Sequence, residues 1–527
     1  MTSRRRDKLE TEARQGESQC AFPRPFCLIT LSGGVGPLFQ PGPIGSIIDD
    51  ILLKIFSFYV EESYEAYEPD KFNAIKKLEV WRPLVHVCRR WRNLVFASPR
   101  RLNLRLVCTG RRPVMELLGI WPFLPIVIDE QPEFGRYPLP LEERVENIGA
   151  ALDHRNRVCQ ISFSNLPHSL SRIFATMMQE SFPALNHLYF DLEEESPVPL
   201  PDSFLGGHAP RLRSLTLASI PFPSLPTLLL TTKDLVELRL WGITESGYIS
   251  PAAMVTCLSS LTRLENLELR FDFGSLPDES RKHPPLLTRI DLPTLTHFEF
   301  VGANEYVEEL VAWINAPLLR DVFVAFFNER HFDISQFNQF IGRAKFFKLL
   351  HRAVVDFDRS AFPQFSLSED PVGGATVGLL ASCTPLERQL SSLEILSSSP
   401  SSPLQPSSFE RLDLPNGITS PKYWDNHLAK VRWLELLQPF TSAKYLYLGS
   451  GIAPHIIRML RNLAGESTTE LLPALQRIFV QDCQQFEALR ESMEPFISAR
   501  QLSGHPVAVH RWEELQNDDS GKEGDDR

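Results

Sequence analysis

Leu235-Val236-Glu237-Leu238-Arg239-Leu240 reads as apolar, two variable residues, apolar, one variable residue, apolar. In an extended strand, side chains alternate between faces, so Leu238 and Leu240 point one way and Arg239 the other. The same phrase stands at Val158/Ile161/Phe163, Leu185/Leu188/Phe190 and Leu212/Leu215/Leu217. It continues at Leu264/Leu267/Leu269, Leu295/Phe298/Phe300 and Leu319/Val322/Val324. In a chain that is 43% hydrophobic, single matches are common by chance, so the spacing carries the signal. The second residues of successive phrases lie 27, 27, 23, 29, 31 and 24 positions apart. The phrase returns at Phe409/Leu412/Leu414, Ala443/Leu446/Leu448 and Leu475/Ile478/Val480.

A period of roughly 20–29 residues is that of leucine-rich repeats. One strand with its connector cannot bury an apolar face alone, but stacked neighbours can. The expected fold over 151–515 is therefore α/β: an irregular leucine-rich-repeat solenoid, with a curved parallel sheet and helical or irregular outer connections. Between 325 and 408 the phrase lapses. There Val354–Phe357 and Val377–Cys383 read as strands of irregular units, 384–396 as a helix, and the Ser/Pro-rich 397–408 as an exposed loop. Residues 431–437 read as a helix. The acidic end, 516–527, reads as a disordered tail.

Composition narrows the function. The 527 residues include 42 Pro against 27 Gly, which suits many short elements. A formal charge of −11 argues against nucleic acid as a partner, since phosphate binding wants a basic face. No 18-residue apolar run exists, so no membrane partner is expected. The eight cysteines form no CxxC pair and no zinc spacing, and read as reduced thiols of an intracellular protein, cytoplasmic or nuclear. Residues 1–44 read as a disordered arm, because Pro23, Pro25, Gly33, Gly34 and Gly36 break the apolar stretch that a signal peptide would need.

The first ordered block, 45–105, reads differently. Apolar residues at Ile48, Ile51, Leu52, Ile55 and Phe56 follow helical spacing, with Asp49 and Asp50 in the first turn. Trp81, Leu84, Val85, Cys88, Trp91 and Val95 again share one helical face, which predicts a buried Cys88. Arg89, Arg90 and Arg92 lie on the other face, as a solvated basic surface or a contact for an acidic partner.

The stretches Asp49–Phe56 and Leu84–Leu94, the latter with Val87-Cys88-Arg89-Arg90-Trp91-Arg92-Asn93-Leu94, resemble an F-box. With Phe96–Leu104 and Trp121-Pro122 following, they are similar to the large F-box family of mushroom-forming fungi. The family pattern opens with Leu-Pro, where this chain has Ile47 and Ile48. The resemblance covers about residues 45–125, including part of the linker or cap expected at 106–150. It implies a Skp-type adaptor as partner, and through it a cullin. The implied contact or core residues are Ile51, Leu52, Ile55, Phe56, Leu84, Val87, Cys88, Trp91 and Leu94.

No catalytic signature stands in the chain: no P-loop, HExxH or GxSxG. Gly449-Ser450-Gly451 lacks a following Lys and a helix-opening context, so it reads as a turn. No catalytic residue, metal or cofactor is expected. The strand residues alternating with the core would line an open face: Tyr189, Arg239, Trp241, Glu268, Arg270, Glu299 and Phe323, with Thr216, Tyr447 and Phe479. Exposed Trp, Tyr and Arg suit the capture of an unknown target protein. The expected function is a non-catalytic substrate-recognition adaptor of an SCF-type ubiquitin ligase. The rival is a leucine-rich-repeat binding scaffold without that role.

Overall fold

Every copy of the phrase becomes a strand. In the computed structural model the described residues are 47–65, 81–99, 101–111, 113–121, 123–130, 140–192, 199–272, 289–327, 335–346, 352–357, 363–368, 376–382, 406–414, 433–462, 470–481 and 486–512. The arm 1–44, the helix read at 384–396, residues 397–405 of the Ser/Pro loop and the tail 516–527 lie outside them. The chain divides into two units, 1–56 and 57–527.

In the first unit, residues 47–56 open the helix Asp49–Glu65. Its start is closed by the Ile51 and Leu52 N–H groups, which both donate to the Ile48 carbonyl. Leu52, Leu53 and Phe56 are buried, whereas Ile48, Ile51 and Ile55 are exposed.

In the second unit, residues 57–65 complete that helix, and two short helices follow, Arg82–Val87 and Arg89–Ala97. Pro83 sits in the first turn, where a missing N–H costs nothing. The expected continuous helical face is broken at Cys88, whose backbone is extended (φ −157°, ψ 170°). Cys88 is therefore exposed rather than buried, and its Sγ accepts the Trp91 N–H at 3.4 Å as an N-cap. Trp81, Leu84, Val85 and Val95 keep the buried face. Trp81 meets Phe96 and Trp121 edge-on, and its Nε1–H donates to the Arg105 carbonyl. Two distant motif residues, Phe96 and Trp121, thus converge on one ring.

Then the sheet begins: β1 Leu106–Cys108, β2 Ile126–Glu130, β3 Val158–Leu166, β4 His187–Leu192, β5 Ser214–Ala218, β6 Glu237–Ile243, β7 Asn266–Phe271, β8 Ile290–Asp291, β9 His297–Gly302, β10 Ile314–Asn315 and β11 Asp321–Phe327. It continues with β12 Arg352–Phe357, β13 Pro363–Ser368, β14 Thr376–Ser382, β15 Arg411–Leu414, β16 Tyr445–Leu448, β17 Arg477–Gln481 and β18 Ala508–Trp512. Among the described residues sixteen strands form one sheet in the order β1-β2-β3-β4-β5-β6-β7-β9-β11-β14-β13-β12-β15-β16-β17-β18, while β8 and β10 pair separately. The segment read as linker or cap contributes β1 and β2.

All neighbours in the large sheet run parallel except β12/β13 and β13/β14. This antiparallel insert explains the lapse of the phrase. A parallel pair needs a long crossover, but antiparallel strands can be joined by short links. β12 spans the stretch read at Val354–Phe357, β14 spans the one read at Val377–Cys383 up to Ser382, with Cys383 outside the described residues, and β13 lies between them.

Register stacks like on like. Leu188, Leu215, Leu238, Leu267, Phe298 and Val322 are successive partners, and all are buried. The leading residue of each phrase is also buried, and most close a tight turn, as in Leu212 N–H to Ala209 O, Leu235 to Thr232 and Leu264 to Leu261. The next residue bonds across to the previous unit: Val236 N–H to Arg213 O, Glu265 to Val236 O. Removing such a leucine to Ala leaves a cavity costing about 2–5 kcal/mol.

Helices cover the apolar face. Phe174 from His168–Met177 stacks on Phe163 at 4.9 Å, and Tyr306 from Asn304–Ala312 lies 4.7 Å from Phe271. Phe340 from Ser335–Arg343 meets Phe298 edge-on. Arginines, half-buried at 157 and 343 and fully buried at 500, tie the connectors together. Arg157 donates to the Trp121 and Leu124 carbonyls, Arg343 to Val311 and Ile314, and Arg500 to Leu472, Pro473 and Leu475. Among the described residues no helix is long and apolar enough to cross a membrane.

Candidate functional site

The face away from these helices carries the alternate strand positions. Tyr189, Thr216, Arg239, Glu268, Glu299 and Phe323 are successive register partners, so the expected row exists. Tyr189, Arg239, Trp241, Arg270, Glu299 and Phe323 are half-buried. Thr216 and Glu268 are buried, against the expectation that they line an exposed surface. The reason is side-chain size: Thr216 is short and Glu268 lies beneath longer neighbours that bond to it.

Glu268 organises this half of the face. One of its oxygens accepts Arg239 Nε at 2.7 Å and the other accepts Trp241 Nε1 at 2.9 Å. Arg239 also pairs with Glu237 at 2.5 Å, and the Ser214 hydroxyl donates to Glu237 at 2.6 Å. Arg270 pairs with Glu299 at 2.6 Å and lies 4.9 Å from the Trp241 ring centroid. Tyr189 meets Trp241 edge-on across the small residues of β5. Burial, then the neighbouring Asp191 carboxylate, pushes the Tyr189 phenol up to about 12. His187 is pushed below its ordinary range, first by burial, with Arg239 and Arg105 adding and Glu237 opposing.

The ligand atoms of Glu268, His297 and Glu299 lie within 4.8 Å of one another, close enough to consider a metal. The donors do not fit one. Both Glu268 oxygens and one of Glu299 already hold Arg239, Trp241 and Arg270. Two guanidiniums supply the positive charge that a cation would bring.

The later half of the face is different. Tyr447 and Phe479 stack at 4.4 Å with 8° between their planes, and His510 stacks on Phe479 at 5.4 Å. Trp512 meets Tyr447 edge-on at 5.6 Å. Arg411 lies 3.9 Å from the Tyr447 centroid and is held bidentately by Asp413. The sequence reading found Tyr447 and Phe479 but missed His510 and Trp512. On β18, Arg511 stands opposite Val480, in the slot where the phrase wants an apolar residue. It also missed Glu237 and His187, which precede the second apolar residue of their phrases and share the open face.

The turn at Gly449–Gly451 does open a helix, Ala453–Asn462, contrary to expectation. It is no phosphate cradle: the Ser450 N–H already donates to Gln481. Cys108, Cys159 and Cys257 are buried cysteines outside any disulfide. Burial raises the Cys159 thiol, and it raises Cys257 to about 11, which makes both poor nucleophiles.

On the front helices the structure separates residues that the sequence left together. Leu52, Phe56 and Leu84 are buried. Ile51, Ile55, Val87 and Cys88 are exposed, and Trp91 and Leu94 are half-buried. Ile48, just before the helix Asp49–Glu65, and Ile51, Ile55 and Phe58 on it are exposed, 47–62% accessible. Their spacing of three, four and three residues makes one stripe.

No protein-family model matches the chain, and no curated protein matches it.

Proposed function

We propose that the chain is a non-catalytic adaptor of an SCF-type ubiquitin ligase. In this reading an F-box-like helical module docks on a Skp-type adaptor, and a leucine-rich-repeat-like solenoid holds a target protein. Ubiquitin transfer is then a proximity effect, because tethering raises the local concentration of target near the loaded enzyme. The observation that carries the reading is the exposed stripe Ile48, Ile51, Ile55 and Phe58. Contiguous exposed apolar side chains mark interaction sites, and these fall in the stretch that resembles an F-box. The helical stripe is the form that groove-binding partners recognise. Stacked, in-register phrases with helices on one face support the solenoid.

The test is a pull-down of the full chain on a recombinant Skp-type adaptor. Wild type is retained, and Ile51→Asp/Ile55→Asp is lost with its thermal melt unchanged. Leu52→Asp is the wrong probe, since Leu52 is buried and the change would unfold the helix. A second reading, a binding scaffold with no ubiquitin role, rests on Ile47 and Ile48 standing where the family has Leu-Pro. It predicts no retention of wild type.

A further inference from the structure

The two halves of the open face differ in what they leave for a partner. From β4 to β9 each face arginine has a carboxylate: Arg239 has Glu237 and Glu268, and Arg270 has Glu299. A ligand there must displace bonds already made, and stripping a partner from a shielded ion pair is costly. On β15 to β18 the balance reverses. Arg411 is matched by Asp413, but Arg477 is exposed and has no carboxylate partner among the described residues. Its one ring contact is a loose one, 5.9 Å to the Tyr445 centroid. Phe479, two positions on, shares its face, and Tyr447, Phe479 and His510 run as a stacked ladder beside it. The Trp512 indole N–H is shielded from solvent and has no acceptor among the described residues.

A flat aromatic ladder beside an unmatched guanidinium is complementary to an extended chain carrying a carboxylate. The rings take apolar side chains, and Arg477 takes the anion through charge-assisted hydrogen bonds. We propose that the open face of β16–β18 binds an extended, carboxylate-bearing segment of the target protein, anchored on Arg477, Tyr447 and Phe479. This rests on the target-binding part of the function proposed above and is independent of adaptor docking. The whole chain carries −11, so it repels an acidic peptide at long range, and capture must come from the local patch.

The experiment is fluorescence anisotropy on the full chain with three labelled probes. One is a short peptide alternating Glu and Leu, one alternates Lys and Leu, and one is the chain's own segment 513–527. The Glu/Leu peptide is expected to bind. Arg477→Ala weakens it about tenfold, the scale of one charge-assisted hydrogen bond. Arg477→Lys recovers part of the loss, and Phe479→Ala weakens it too. Arg263→Ala, at an exposed arginine outside the face, leaves binding unchanged. Equal binding of the Lys/Leu peptide overturns the proposal, as does indifference to Arg477→Glu. Binding of the 513–527 peptide alone also overturns it, by making the chain's own acidic end the occupant. Adaptor pull-down of the same variants checks folding, and its failure in wild type would sink the ligase reading without touching this one.

Discussion

The early and late halves of the open sheet face use the same strand register for opposite ends. In the early half, Arg239, Trp241, Glu268, Arg270 and Glu299 satisfy one another. In the late half, Tyr447, Phe479 and His510 stack as rings, with Arg477 nearby and without a carboxylate partner among the described residues. A lattice of internal ion pairs spends its polar groups on holding strands in place. A ladder of rings leaves flat area and a charge for something else. The strand register fixes which face a side chain takes, and the side chain's chemistry decides whether that position is structural or receptive.

The comparison can be broken first at Glu268. Glu268→Ala removes the buried acceptor of the Trp241 indole and one of the two carboxylates of Arg239, and should cost about 2 kcal/mol in urea unfolding. Glu268→Gln, which keeps an acceptor, should cost about half as much. If both are neutral, the early half is no structural lattice. Next comes Phe479→Ala. It loses a half-buried ring and its two stacking partners, and should cost roughly 1 kcal/mol of stability while weakening peptide binding. A loss as large as that of Glu268→Ala would make the late half structural as well.

The smallest effect is a pH dependence. His187 is held below its ordinary value, so the unfolded chain binds its proton more readily than the folded one. Its contribution is therefore present above about pH 6.5 and is lost as pH falls through and below that value. His187→Gln should flatten this limb of the thermal melt below about pH 6.5, by less than either substitution above changes stability. An unchanged limb would show that His187 is no source of it.

Much of the sheet was legible because the phrase encodes geometry directly. Leu238 and Leu240 must share a face, and their recurrence at near-constant spacing must stack. What escaped notice obeys other physics. β13 pairs antiparallel through short links, so it carries no period. β18 replaces an apolar slot with Arg511, yet completes the aromatic ladder through His510. Helical spacing placed Cys88 inside, but spacing alone does not reveal that Cys88 caps a new helix and resets the phase. Ile51 and Leu52 look alike in sequence. Only packing shows that one is exposed and the other buried.

The measurement that bears most directly on the adaptor reading is a calorimetric titration of the full chain with a Skp-type adaptor. The account predicts one-to-one binding with a large negative heat-capacity change from burying the Ile48–Phe58 stripe, abolished by Ile51→Asp/Ile55→Asp. A wild-type chain that melts cooperatively and yet gives no binding heat at any temperature tried, with no co-elution, would contradict it.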